Sequence, residues 1–327
     1  MLLRVTASAF NDRGPLFMEQ ALGAVHEGIT SDNTVTLKMA RSETGVTLFI
    51  ALPNSLRPLI EGQLLSHYPS ARIERVAEAS VAPGPGDTLW LRTLTVGPAI
   101  QCIRSYTDFV DPQTRLSADP LGGIMTAVSG ADHDPLRTCL EITIRPAAAR
   151  RVRTAKWAVR QLSRPRLAHS SVWRCAFLSW SFLARRWKRA VARIAVRMAG
   201  PRQTGEQQRD EVTIEKLDQR LFESQIQLSV SGPASTARRA RAKLGEVVAA
   251  LGQFSDPQHA SFHVSPLASI RSRSRVGDSL LTAGELATLW HLPTVNLEVP
   301  SLDTATHRRL PPPLTLPNPQ REEGTAF

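Results

Sequence analysis

The residues best suited to metal chemistry form two small groups. Asp132, His133 and Asp134 place two carboxylates around an imidazole, a donor set that could begin a metal site. His259 and His263 stand four positions apart, the spacing with which two histidines bind zinc from one helix face. However, no further ligand follows at a metal-binding spacing, no glutamate follows His259, and the segment around His263 alternates like a strand. We therefore predict a solvated loop and a strand here, and no metal site.

Residues for covalent or phosphate chemistry are equally sparse. Cys175 follows Arg174, whose charge favours a thiolate, but the sequence positions no base beside it. The 327 residues contain no G-x-S-x-G nucleophile motif, no phosphate loop and not even one Gly-Lys pair. The sequence therefore predicts no catalytic residue and no bound cofactor in this chain.

Positive charge is concentrated in one segment. Residues 145–202 carry 16 of the 40 Arg and Lys, and no acidic residue lies between Glu141 and Glu206. The net charge is +11, so the rest of the chain, which holds all 29 acidic residues, is slightly acidic. Four of the six tryptophans lie in the same segment, namely Trp157, Trp173, Trp180 and Trp187. Cations interleaved with aromatic rings favour contact with anionic lipid or with a phosphate backbone.

A helical stripe runs through this segment from Ser171 onward. Its apolar members recur at alternating steps of four and three residues, so they lie on one face of a helix. The aromatic members are the candidate contact residues Trp173, Phe177, Trp180 and Trp187. The candidate cations lie off the stripe and are Arg174, Arg185, Arg186, Lys188, Arg189, Arg193 and Arg197.

Four interpretations of the stripe remain open. A basic helix with an aromatic face fits a membrane interface, and it also fits the apolar groove of a partner. Nucleic-acid binding would need the tryptophans free to stack on bases. The stripe could also cover the protein's own core, but the absence of acids speaks against this, because solvated helix faces usually mix signs.

The elements around the segment divide the chain into two halves. Residues 1–80 read in the order β-α-β-β-α-β, with the first helix opening at Gly14-Pro15 and the second running from Leu56 to His67. This order is typical of the ferredoxin-like split unit, in which two helices cover one face of a four-stranded antiparallel sheet.

The second half repeats this pattern with an interruption. The predicted divisions are 1–80 for the first unit, 81–87 for a linker, 88–146 with 211–295 for a second α+β unit, 147–210 for the arginine- and tryptophan-rich helical insertion, and 296–327 for a Pro-rich extended tail. Within the second unit we predict a strand over Ile100–Tyr106 and a helix from Asp119 to Val128. The predicted fold class is α+β, two ferredoxin-like units with antiparallel sheets plus a basic amphipathic helical insertion.

Cysteine usage and apolar runs indicate a compartment. The three cysteines are far apart and odd in number, which favours a reducing, cytoplasmic setting. The longest apolar run, Cys175–Ala184, has ten residues, whereas a spanning helix needs about twenty. The amino terminus lacks an apolar run of signal-peptide length. We expect a soluble or peripheral protein.

A short helix near the end of the second unit carries a clear start signal. Thr282 and Glu285 have the spacing of a capping box, in which each residue satisfies a backbone N–H of the other. Leu286, Leu289 and Trp290 follow on one side, before Pro293. The pattern predicts a docked terminal helix.

This run also carries a family resemblance. Leu280–Thr294 resembles the L-S-x-x-E-L-A-x-L-W-H-x-P segment of bacterial conjugative-transfer, type IV secretion-type ATPases of the HerA/FtsK class, where it precedes the motor domain. The matching motif residues are Glu285, Leu286, Trp290, His291 and Pro293. Three further stretches are similar to that family, namely Gly14–His26, Ala51–Pro69 and Ile214–Ile226.

The resemblance stops short of the nucleotide site. In the family a phosphate loop follows within the next tens of residues, whereas this sequence ends at Phe327. The resemblance therefore implies a non-catalytic, pre-motor accessory protein, with ATPase activity in a separate motor chain. It implies that motor as a partner, with the basic helix at the inner membrane or a secretion component, and a cytoplasmic location that is peripheral at the inner membrane. The alternative, from the residues alone, is a nucleic-acid-binding protein that uses the arginine-rich segment to bind DNA.

Overall fold

The fold is mixed α+β with a mostly antiparallel sheet, so the predicted fold class is confirmed at this level. The computed structural model describes residues 1–30, 32–42, 45–78, 82–97, 101–110, 119–130, 134–162, 212–256, 260–265, 279–297 and 304–305.

The strands of the described chain are β1 Leu2–Ser8, β2 Val35–Ser42, β3 Gly45–Ala51, β4 Arg72–Val76, β5 Thr88–Gly97, β6 Arg137–Pro146, β7 Leu221–Gly232, β8 Ser261–Val264, β9 Ser279–Thr282 and β10 Thr304–Ala305. Its α-helices are α1 Pro15–Gly28, α2 Arg57–His67, α3 Leu121–Ser129, α4 Ala149–Leu162, α5 at 212–218, α6 Ala237–Leu251 and α7 Ala283–Leu289. Short 3-10 turns occur at Asn54–Leu56, Tyr106–Phe109, Ala234–Thr236 and Gly252–Phe254.

The strands lie in two quartets with the same internal order. The first quartet runs β4-β1-β3-β2, and the second runs β6-β7-β5-β8, with every neighbouring pair antiparallel. In each quartet the first strand in sequence lies between the third and the fourth. β9 pairs with the start of β7, and β10 adds a short parallel pairing to the end of β1.

The two quartets form one sheet because β2 and β6 pair with each other. Their antiparallel register runs from Val35 opposite Ile144 to Ala40 opposite Cys139. On the face of the sheet away from the main core, the Lys38 ammonium lies 2.8 Å from the Glu141 carboxylate. Cross-strand pairs of this kind stabilise a sheet by about 0.2–1 kcal/mol each. The joint is therefore held by side chains as well as by the backbone.

One hydrophobic core spans both quartets. It combines buried residues of α1, α2, α3, α6 and α7 with alternate residues of the strands. In α1, Pro15 occupies the first turn, and Met18, Leu22 and Val25 are buried on one side, as the spacing predicts. A second, smaller cluster lies under α4 and α5.

Two features of the second half differ from the prediction. The strand predicted over Ile100–Tyr106 is wrong, because residues 101–105 have no strand partner and a 3-10 turn begins at Tyr106. Instead, the amide of Ile103 donates to the buried Glu285 carboxylate at 2.8 Å. Strand β9 was not predicted, because all four of its residues are buried and its sequence shows no alternation of apolar and polar residues.

Candidate docking surface

The predicted contact residues of the insertion lie outside the described residues. All of them fall between positions 163 and 211, namely Trp173, Arg174, Phe177, Trp180, Arg185, Arg186, Trp187, Lys188, Arg189, Arg193 and Arg197. The structure describes the start of the insertion, α4, and the helix that directly follows the insertion, α5.

The inner side of α4 is packed against the fold. Ala155 and Val159 are buried and join Leu217 of α5, Leu221 of β7 and Leu280 of β9 in the second hydrophobic cluster. These α4 residues follow the helical spacing of an amphipathic helix. The predicted stripe begins at Ser171, whereas Val152, Ala155 and Val159 show a helical apolar spacing already in α4.

Ion pairs fasten α4 at its edges. The carboxylate of Glu223 is buried on β7 and forms two ion pairs. It lies 2.7 Å from Arg145 Nη2 and 3.3 Å from Arg151 Nη1 on α4. Lys156 of α4 pairs with Asp218 of α5. These contacts join α4 to the sheet and to α5, and they pair the carboxylates of Glu223 and Asp218 with cations.

The outer side of α4 is cationic. Arg150 and Arg153 are exposed, and Trp157 is 49% exposed. The helix contains no acidic residue. No described helix, α4 included, is both long enough and apolar enough to cross a membrane. The described part of the insertion thus presents arginine and tryptophan on a fixed helix.

The family motif lies in the interior. The predicted capping box is present, with Glu285 N donating to Thr282 Oγ1 at 3.1 Å and Thr282 N donating to Glu285 Oε2 at 2.8 Å. Leu286 is buried, and the buried Trp290 donates its indole N–H to the backbone oxygen of Lys38 at 3.0 Å. The motif therefore ties α7 to β2 in the first quartet.

Glu285 is also the centre of a buried ion pair. Its Oε1 accepts from Lys216 Nζ at 2.9 Å, with the two side chains only 3% and 1% exposed. Lys216 donates a second bond to the Gln101 carbonyl at 2.7 Å. Because burial of an unpaired charge is costly, each member of the pair requires the other. The pair joins α5, at the end of the insertion, to α7.

His291 forms a second buried polar group with two residues from other segments. Its Nε2 lies 3.1 Å from Asp119 Oδ1, and its Nδ1 lies 2.7 Å from the Ala287 carbonyl. Burial by itself would raise the pKa of Asp119, but bonds from His291, the Leu121 amide and the Thr294 hydroxyl, with the charge of His291, lower the pKa below its ordinary value.

The residue types of this group match a nucleophilic triad, but the geometry does not. The Thr294 hydroxyl donates to Asp119 Oδ2 at 3.1 Å and not to the imidazole. Both ring nitrogens of His291 are already engaged, and the side chain is fully buried. A nucleophile needs a base within hydrogen-bond reach and access for substrate. The arrangement therefore holds the segment after α7, which includes Pro293, against the start of α3.

Of the residues considered for metal chemistry, the structure describes only Asp134 and His263. Asp132, His133 and His259 lie outside the described residues. Asp134 accepts from the Leu136 amide and pairs with Arg239, and His263 lies on β8. The part of the chain that the structure describes contains no group of three metal-ligating side chains.

The thiols show no reactive character where they are described. Burial raises the pKa of Cys102 to about 11, and burial of Cys139 raises the pKa of that thiol further. A thiol with a raised pKa is a poor nucleophile at neutral pH. Cys175 lies outside the described residues.

Sequence reasoning missed three residues of the buried groups. Lys216, Asp119 and Gln101 lie 69, 172 and 115 positions from the groups that they contact. No local pattern signals these contacts, because the partners are so far apart in the sequence.

The chain was compared with models of protein families and with curated proteins. No family model matches it. No curated protein matches it either. The function must therefore be inferred from the geometry of α4 and α5 and from the motif residues of α7.

Proposed function

We propose that the protein is a non-enzymatic accessory subunit that docks through its basic insertion, as part of a conjugative DNA-transfer or type IV secretion-type system with a HerA/FtsK-class motor ATPase. The observation that carries this proposal is the fixed presentation of α4. Its apolar side is buried, Glu223 and Asp218 beside it are paired with cations, and Arg150, Arg153 and Trp157 face outward.

The two ends of the insertion meet at one point of the fold. The Ala147 amide, just before α4, donates to the Leu221 carbonyl at the start of β7 at 2.8 Å. Lys156 and Asp218 join α4 to α5 beside this point. A long segment can therefore be carried on the β6–β7 hairpin without disturbing the sheet, which suits an element whose role is to reach a partner.

The rest of the molecule serves as the scaffold. We propose that each quartet, with its two helices, is a ferredoxin-like split unit; the shared order of strands supports this. The motif residues Glu285, Leu286, Trp290 and His291 support the relation to the motor family through the sequence alone. Because they are buried, their role in this proposal is to hold the scaffold together and not to contact the motor.

Co-purification tests the proposal. The full chain, tagged and expressed with its genomic neighbours, should retain a HerA/FtsK-class ATPase and localise to the cytoplasmic side of the inner membrane. Trp180→Ala with Trp187→Ala should release the membrane or the partner, since both rings belong to the predicted stripe. Phe10→Ala, which removes an exposed ring far along the sequence from the insertion, is the matched control. Retention of no ATPase, or nucleotide hydrolysis by the purified chain alone, contradicts the proposal.

Nucleic-acid binding is the second candidate, favoured by the 16 Arg and Lys of residues 145–202. Phosphate contacts release counterions, so binding to duplex or single-stranded DNA should fall about 10³-fold or more between 50 and 200 mM salt if six or more phosphates are contacted. Fluorescence anisotropy with a labelled oligonucleotide measures this. A weak salt dependence removes the candidate.

A further inference from the structure

We infer that the exposed side of α4, formed by Arg150, Arg153 and Trp157, binds the surface of an anionic phospholipid membrane. The inference depends on the proposed docking role of the insertion and names its partner. It concerns a described part of the insertion that lies before the stripe of candidate contact residues predicted from the sequence.

The three side chains share one face of the helix. They stand at positions i, i+3 and i+7, which at 100° per residue lie within a sector of about 60°. The helix rises about 1.5 Å per residue, so Arg150 and Trp157 are about 10 Å apart along its axis. A flat surface can therefore contact all three at once.

This face carries two arginines and no acidic residue. The carboxylates of Glu223 and Asp218 are engaged by Arg151 and Lys156 at the base of the helix. In the described residues, no carboxylate pairs with Arg150 or Arg153, and α4 contains no acid. The complementary surface must be anionic.

The apolar side of α4 decides between a lipid surface and a protein groove. A helix that docks in a groove inserts an apolar stripe at i, i+3, i+4 and i+7. In α4 the stripe of Val152, Ala155 and Val159 already packs against the cluster on β7 and β9. What remains is one tryptophan between cations. Tryptophan prefers the boundary between headgroups and acyl chains, and arginine is attracted to anionic headgroups.

Vesicle flotation with the full chain tests the inference. The protein should float with vesicles of phosphatidylcholine containing phosphatidylserine, and should stay in solution with phosphatidylcholine alone. Each arginine near an anionic surface contributes about fivefold in affinity, so Arg150→Gln with Arg153→Gln should weaken binding about 30-fold at low salt. Trp157→Ala should weaken binding to anionic vesicles without changing its salt dependence, because no charge is removed.

Two control variants match these changes elsewhere on the surface. Arg238→Gln with Arg241→Gln removes two exposed arginines from α6, and Phe10→Ala removes a ring that is 63% exposed. Both should float like the wild type. Unchanged flotation of the α4 variants overturns the inference, as does equal binding to both kinds of vesicle. Oligonucleotide binding that is lost in the same α4 variants, with no flotation of the wild type, assigns the face to nucleic acid instead.

The outcome is separable from that of the proposed function. If the chain retains its motor ATPase but does not float, the lipid assignment falls and the accessory role stands. If it floats through α4 but retains no motor, the accessory role in DNA transfer falls and the lipid-binding face stands.

Discussion

Lys216 and Glu285 illustrate how two charges can be kept inside a protein. The Lys216 ammonium lies 2.9 Å from the Glu285 carboxylate. The carboxylate also accepts from the amides of Ile103 and Thr282, and the ammonium also donates to the Gln101 carbonyl. Such a pair adds little over apolar side chains of the same size, but it is costly to break. Its value lies in fixing which segments meet.

We predict that Lys216→Met lowers the free energy of unfolding by about 3–5 kcal/mol, because it leaves Glu285 buried without its cation. Urea denaturation followed by circular dichroism measures the loss. Lys156→Met is the matched control, because its partner Asp218 is well exposed and such pairs contribute about 0–1 kcal/mol. A loss under 1 kcal/mol for Lys216→Met would show that the buried pair does not stabilise the fold.

The lowered pKa of Asp119 predicts that the stability of the fold depends on pH. Its pKa in the folded protein is lowered below the ordinary value of 3.8, so its contribution to stability is present above that value. The contribution is lost as the pH falls through the lowered pKa, since the carboxylate is then protonated in both states. Wild type should therefore be more stable than Asp119→Asn at pH 7, and the difference should shrink towards pH 3. Urea titrations at a series of pH values measure it, and a constant difference contradicts the assignment.

At the scale of elements, α7 shows what local sequence can specify. We predict that Thr282→Ala costs about 1 kcal/mol, since the threonine hydroxyl caps the Glu285 amide. Thr236→Ala at the start of α6 is the control, because its hydroxyl donates to the Pro233 carbonyl and caps no amide. Thermal unfolding should separate the two variants. Equal effects would mean that the capping box contributes nothing to the helix.

The elements that could be predicted from the sequence are those with local signals. Helix α1 begins at Pro15, as the Gly14-Pro15 signal predicts, and the strand predicted around His263 is present as β8. The segment before Tyr106 could not be predicted, because the group that holds Ile103 is Glu285, 182 positions away. The candidate contact residues of the insertion stay a prediction, and which side of α4 is exposed could be read only from the structure, in which Ala155 and Val159 are buried.

At the scale of the whole molecule, the pairing of β2 with β6 makes the two halves depend on each other. The main core is shared, since one cluster contains buried residues from both halves. The divisions read from the sequence would suggest two units on either side of a linker. The joint argues instead that an isolated first half would expose the edge of β2, and open strand edges promote aggregation.

We therefore predict that the described scaffold unfolds in one cooperative step. Leu140 is fully buried on β6 opposite Met39 of β2, and Leu140→Ala should cost about 2–5 kcal/mol through the lost contacts and the cavity. In Leu140→Ala, hydrogen exchange followed by mass spectrometry should show that backbone amides lose protection equally in β1, on one side of the joint, and in β7, on the other. Leu89→Ala, at an exposed position of β5, is the control and should change neither the free energy of unfolding nor the amide protection of β1 and β7. Loss of protection in β7 alone would show that the halves open independently, and that the continuous sheet does not couple them.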